Sequence, residues 1–205
     1  MIEIEQKFIL DEESEQRVLE NATFVGEETF TDIYYDTPDC RLIGNDMWLR
    51  SRDSKWELKI SFYQNANRDV DRYEEIENIE EIRKRLNIPG AGTFEGDLKS
   101  VGYEPFCVCK TTRRKYKSGD FNIVLDDAEF DDGFVFKIGE IELMSDDKTN
   151  ADETAKKVSE LREQWGLTPA PIGKVVEYLK VKRPVHYNAF INRPSQLIYY
   201  NKAIT

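Results

Sequence analysis

A chain of 205 residues, 40% hydrophobic and 12% aromatic, is long enough to bury a sizeable core as one domain and too apolar to remain disordered. Its formal charge of −11 argues against nucleic acid or an anionic membrane as the main partner, since both select basic surfaces, but leaves room for a small polyanion held in a locally basic channel. Cys40, Cys107 and Cys109 are odd in number and lack metal-ligand spacing, so they read as free thiols, and the single His186 makes a His-based triad or zinc site unexpected. With no signal-like or bilayer-length apolar run, a cytoplasmic, monomeric protein is expected.

Residues 1–10 alternate as a strand, with Ile2, Ile4, Phe8 and Leu10 on one face and Glu3, Glu5 and Lys7 on the other. Asp11 can cap a helix over 12–20 anchored by Val18 and Leu19. Residues 30–35 read as a strand stopped by the turn cluster Asp36-Thr37-Pro38-Asp39. Strands over 47–52 and 55–61 form a hairpin about Asp53-Ser54, and 72–77 is a further strand. Asn78 caps a helix through Leu86, ended by Pro89 and Gly90, while 93–101 is ambiguous between loop and short helix. Strands follow at 106–116, 121–126 and 135–143, with Gly119 and Gly133 at the bends and Gly139 placed to form a bulge that re-aims Glu140 and Glu142. Helices are expected at 152–165, stopped by Gly166, at 173–180 and at 187–191. In the tail from Arg193, residues 197–200 can add a strand or simply pack. The result is an α+β chain, mostly antiparallel β with covering helices.

The charged residues keep to one face of successive strands: Glu3, Glu5 and Lys7; Arg50 and Arg52; Glu57 and Lys59; Arg113 and Lys115; Glu140 and Glu142. A merely solvated face would tolerate Ser, Thr, Asn and Gln freely, whereas these faces concentrate Glu, Arg and Lys. Such a set suits the inside of a barrel in which acids hold a metal ion and bases hold an anion.

Glu3-x-Glu5-x-Lys7 resembles the ExExK signature of the CYTH superfamily, the triphosphate tunnel metalloenzymes. Tyr34-Tyr35-Asp36-Thr37-Pro38, Trp48-Leu49-Arg50-Ser51-Arg52, Trp56-Glu57-Leu58-Lys59, Gly139-Glu140-Ile141-Glu142 and Lys174-Val175-Val176-Glu177-Tyr178-Leu179 look like its thiamine triphosphatase branch, in the family's order. The resemblance implies closure into an eight-stranded antiparallel β-barrel whose tunnel binds the triphosphate. It also implies Mg2+-dependent hydrolysis of thiamine triphosphate to the diphosphate and phosphate. An inorganic triphosphatase and a non-catalytic polyphosphate-binding module are the alternatives.

By this similarity Glu3, Glu5, Glu140 and Glu142 form the metal side, joined by Asp126, although Val124 stands where the vertebrate-type pattern has another acid. Lys7, Arg50, Arg52, Arg113 and Lys174 grip phosphate, and Glu75 resembles an inward acid of the substrate site. Lys115 joins them on strand parity alone, and a one-residue slip would select Arg114 in place of Arg113. Lys174 opens a helix, where it closes one tunnel mouth or is merely hydrated. Trp48 stacks on a cationic ring or plugs a barrel end. Tyr34 and Lys59 resemble the branch's water-activating dyad. There, crowding by Arg50 and Arg52 would lower the Lys59 pKa and give an alkaline optimum, while the competing role for Tyr34 is core packing.

Overall fold

The computed structural model describes residues 2–62, 70–145 and 148–192. Eight strands close into an antiparallel barrel: β1 (Ile2–Ile9), β2 (Thr23–Asp36), β3 (Met47–Arg52), β4 (Lys55–Ser61), β5 (Asp71–Ile76), β6 (Glu104–Ser118), β7 (Phe121–Phe130) and β8 (Val135–Ser145). Around the barrel the order is β1-β5-β4-β3-β2-β6-β7-β8, with β8 returning to β1. Closure gives each strand a partner on both sides and divides its residues between an outer and an inner face.

The apolar sets lie mainly on the outer face, beneath helices. Ile2, Ile4 and Phe8 of β1 pack with Ile123, Leu125 and Ile141 under α1 (Glu12–Asn21) and α4 (Ala151–Gln164). Leu49, Leu58 and Ile76 pack under α2 (Ile79–Leu86) and α3 (Phe94–Ser100). Because these sets bury their hydrophobic area outside the wall, the interior is free to carry charge. One barrel end is filled differently. Tyr34, Cys107 and Cys109 meet Val175, Tyr178 and Leu179 of α5 (Lys174–Lys182), and α6 (Pro184–Ile191) lies against it with Tyr187 and Phe190.

Local signals account for most element ends. Asp11 accepts from the Ser14 amide while the Ser14 hydroxyl accepts from the Asp11 amide, a reciprocal cap that starts α1. Asn78 accepts from the Glu81 amide at 3.0 Å to start α2, and Asp53 and Ser54 take positive φ (46° and 70°) in the two-residue turn between β3 and β4. Three details differ from expectation. β2 begins at Thr23, because its first half pairs with the far end of β6 despite a mixed polar sequence that includes Gly26, and a register shift falls between Phe24 and Gly26. Leu19 is exposed, leaving Val18 to anchor α1. The ambiguous stretch forms α3, capped by Thr93. Met1 and the tail segment 197–200 lie outside the described residues.

The bulge expected at Gly139 is not formed either. β8 runs in continuous register with both neighbours there, and Gly139 stands opposite Phe8. A Cβ at Gly139 would fall 2.0–2.6 Å from the Phe8 ring, so the bare α-carbon is what lets that ring cross the strand. We expect Gly139→Ala to destabilise the protein by about 1–3 kcal/mol in urea unfolding, with Phe8→Leu in the same chain restoring part of the loss. An unchanged midpoint for Gly139→Ala would contradict this packing.

Candidate active site

Cross-strand register builds the inner surface. Tyr34 on β2 stands opposite Arg50 on β3, which stands opposite Glu57 on β4; Trp48 stands opposite Lys59, and Lys59 opposite Glu75 on β5. On the other side Glu5 faces Glu142 across the β1–β8 seam and Lys7 faces Glu140. These residues, with Glu3, Arg52, Arg113 and the first turn of α5, line a cavity of about 210 Å³.

The cationic wall is held together by two aspartates with no exposed surface. Asp32 accepts two hydrogen bonds from Arg52, at 2.8 and 2.9 Å, and lies 3.6 Å from Arg50. Asp126 accepts two from Arg113, at 2.7 and 2.8 Å, and a third from Lys174. The Phe30 ring supports this wall, with the Arg52 guanidinium 3.8 Å and that of Arg113 5.6 Å from its centroid. Lys174 reaches Asp126 from the first position of α5. Its N-cap, Gly173, packs against Lys7 so closely that a Cβ would fall 2.8 Å from the Lys7 Cε.

Opposite lies a carboxylate group. Glu3, Glu5 and Glu142 are buried and each offers one oxygen, all within 4.8 Å of one another. Burial, backed by Glu140 and Glu5, outweighs Arg113 and pushes Glu142 up to about 7; burial likewise raises Glu3. Burial also opposes ionisation of Glu5, but Lys7 and Lys59 overcome it and hold that carboxyl well below its usual range. Three crowded carboxylates are costly unless cations share the site. Lys7 meets this need through Glu5 and Asp71, the latter at 2.7 Å, and Lys59 through Glu3 and through Glu75 at 2.8 Å. Hard oxygen donors in this number and spacing also fit a small divalent ion.

Several expected residues sit differently. Asp126 is not part of the carboxylate group: its place on β7 opposite Arg113 commits it to the cationic wall, where it pairs with Arg113 and Lys174. Glu140 lines the cavity but lies 3.4 Å from Arg113, outside the closest three acids. Lys115 shares the face of Arg113 but occupies the long β2–β6 ribbon, is 41% exposed and pairs with Glu28 at 2.7 Å, away from the lining set. Arg114 pairs with Glu15 on α1, which leaves Arg113 as the inward arginine.

Lys59 is not depressed by neighbouring arginines. Burial lowers it, but Glu3, Glu5 and Glu75 prevail and hold the ammonium well above its usual range. Burial and Asp32 raise the Tyr34 phenol, whose ring packs edge-on against Trp48 at 6.3 Å. Both side chains line the cavity, and both shifts favour the protonated form. The Trp48 indole donates to Asp46 at 3.1 Å and meets the Phe190 ring at 5.7 Å.

Asp32, Asp71 and Tyr73 were not singled out by the sequence, and Glu57 was given no role beyond its place on a charged strand face, yet all four pair with or line this cavity. Asp32 had one signal. It is a strand-averse residue in the same alternation as Phe30 and Tyr34.

The CYTH domain matches residues 1–170, and the chain belongs to that family. Over 213 residues it is 28% identical to the human thiamine-triphosphatase, covering 93% of this chain and 90% of that protein; the Macaca fascicularis thiamine-triphosphatase is 29% identical with the same coverage. Among solved structures, PH1819 from Pyrococcus horikoshii OT3 superposes with a TM-score of 0.59 at 24% identity, covering 88% of this chain and 99% of its own. HpAC1 from Hippeastrum, described as having a dominant triphosphatase activity, has a TM-score of 0.55 at 14% identity, covering 89% of this chain and 98% of its own. These structural likenesses establish the tunnel fold. Among the described residues no helix is long and apolar enough to cross a membrane.

Asp126 gives a stability test. Although burial opposes it, Lys174 and Arg113 hold its carboxyl well below the usual range, so its stabilising contribution is full above the unfolded value near 4 and is lost as pH falls through the native value. We expect Asp126→Asn to lose about 3–5 kcal/mol at pH 7 in urea unfolding, with the gap to wild type narrowing below about pH 4. A gap of constant size across that range would contradict the pairing.

Proposed function

We propose that this chain is a Mg2+-dependent phosphohydrolase, active as a monomer in the cytoplasm, that binds thiamine triphosphate in the barrel and releases its terminal phosphate. The observation that carries the reading is the facing of two walls across one cavity. One holds Glu3, Glu5 and Glu142 with oxygens within 4.8 Å of one another, and the other holds Arg50, Arg52, Arg113 and Lys174. The similarity to thiamine-triphosphatases over 93% of the chain points to the substrate. All of these groups come from one chain, which supports action as a monomer.

Glu3, Glu5 and Glu142 would hold Mg2+, which when bound supplies charge neutralisation and orientation at the phosphate oxygens. The arginines and Lys174 bind the triphosphate oxygens, and their positions are set before any ligand arrives because Asp32 and Asp126 fix them. Water then attacks the terminal phosphorus in line, the bond to the bridging oxygen breaks, and the charge that develops is met by guanidinium and ammonium groups. Lys59 acts here as a charged donor, consistent with its carboxylate partners, and Tyr34 as a neutral hydroxyl. A loose phosphoryl transfer needs the water positioned more than deprotonated.

An inorganic triphosphatase is the second reading, favoured by the packing of Trp48 between Tyr34 and Phe190, which covers part of the ring available to an organic group. Phosphate release from thiamine triphosphate, tripolyphosphate and ATP, each with and without Mg2+, separates these readings. We expect fastest release from thiamine triphosphate and little without the metal; binding of these compounds with no release would instead mark a non-catalytic module. Lys59→Ala is expected to lower kcat/KM about 10²-fold, and full activity in that variant would remove Lys59 from the site. Trp48→Ala should slow thiamine triphosphate selectively, whereas equal slowing of tripolyphosphate would contradict ring stacking.

A further inference from the structure

We propose that Asp32 is a positioning residue, which from a buried place beside Arg52 on the inner face of β2 sets the orientation in which Arg52 and Arg50 present their guanidinium groups to phosphate. This rests on the triphosphate reading above. Asp32 stands opposite Arg52 in the β2–β3 pairing, has no exposed surface and is not among the residues lining the cavity, so it does not touch a ligand held there. Both of its oxygens are engaged. Oδ1 accepts from Arg52 Nε at 2.8 Å and Oδ2 from Nη2 at 2.9 Å, while Arg50 Nη1 lies 3.6 Å from Oδ2.

Two parallel bonds between a carboxylate and adjacent guanidinium nitrogens fix the plane of the arginine and use two of its five N–H donors. The remaining three, both hydrogens of Nη1 and the second of Nη2, are left for the cavity. The Phe30 ring, 3.8 Å from the guanidinium carbon, packs against the plane and further restricts rotation. Arg50 and Arg52 are like charges two residues apart on one strand face, and the anion between them offsets their repulsion before phosphate enters. Burial opposes the charge on Asp32, but Arg52 and Arg50 hold its carboxyl below the usual range. Orientation is thus established during folding rather than at the moment of binding.

A double-mutant cycle on ligand binding tests this. Methylene-bridged tripolyphosphate, which cannot be hydrolysed, is titrated calorimetrically in the presence of Mg2+ into wild type, Asp32→Asn, Arg52→Lys and the double variant, each first shown folded by circular dichroism. Lysine keeps the charge but has no plane to orient. We expect Asp32→Asn to weaken binding about tenfold in the wild-type background but less than about threefold in the Arg52→Lys background, the coupling that distinguishes action through Arg52 from general loosening. Equal affinity of Asp32→Asn and wild type, or the same fold-change in both backgrounds, overturns the proposal. Should Asp32→Asn not fold, Asp32→Glu takes its place in the cycle: its longer reach displaces the charge, so the same pair of fold-changes is expected, and wild-type affinity overturns the proposal. Absence of binding by wild type overturns the functional reading and this proposal with it, whereas the preceding outcomes leave that reading standing.

Discussion

The structure depends on holding buried charges of like sign side by side, which an apolar wall alone cannot do. Arg50 with Arg52, and Arg113 with Lys174, would repel one another in a medium that screens poorly, and each carries a desolvation cost besides. The barrel answers with anions buried beside them. Asp32 and Asp126 are each fully buried, and each is bound to two cations that line the cavity. The acid side uses the reverse arrangement, since Lys7 and Lys59 sit among Glu3, Glu5, Asp71 and Glu75. Neither wall is a bare patch of one sign.

Closure of the sheet makes this arrangement affordable in packing. Hydrophobic area is buried outside the barrel, where α1 and α4 cover one flank and α2 and α3 another, so the interior need not supply the core. Cross-strand register then converts alternation along each strand into a ring of facing side chains: Trp48 with Lys59, Lys59 with Glu75, Lys7 with Glu140. A slip of one residue in any strand would turn its charges outward. At one end α5 fills the barrel with Val175, Tyr178 and Leu179 and delivers Lys174 to Asp126, so the same helix contributes both apolar closure and a cation.

Much of this was legible beforehand because period-two alternation is a local property. The inward set Glu3, Glu5, Lys7, Arg50, Arg52, Lys59, Glu140 and Glu142 follows from it, and all of these line the cavity. What alternation does not encode is which inward groups become neighbours across strands distant in sequence. Asp126 reads as one more inward acid until its pairing opposite Arg113 places it on the cationic side. Lys59 reads as a lysine among arginines until β5 brings Glu75 beside it and β1 brings Glu3. Lys115 has the right parity but stands on a ribbon that outruns the lined part of the barrel, and strand length is poorly marked where β2 begins in mixed residues around Gly26. Gly139 shows the same limit at the level of packing: a glycine in a strand announces a special position, but only the Phe8 ring opposite it shows that the need is room rather than a bend.

A catalytic account follows from placement alone, since phosphoryl transfer asks chiefly for positioned charge. The measurement that tests it most directly is a crystal structure of the protein with Mn2+ and methylene-bridged tripolyphosphate, the ion located by its anomalous scattering. The account predicts the ion among Glu3, Glu5 and Glu142 and phosphate oxygens within hydrogen-bonding distance of Arg50, Arg52 and Arg113. Ion and polyphosphate bound together on the outer surface, with the barrel interior keeping its lysine–carboxylate pairs, would contradict it.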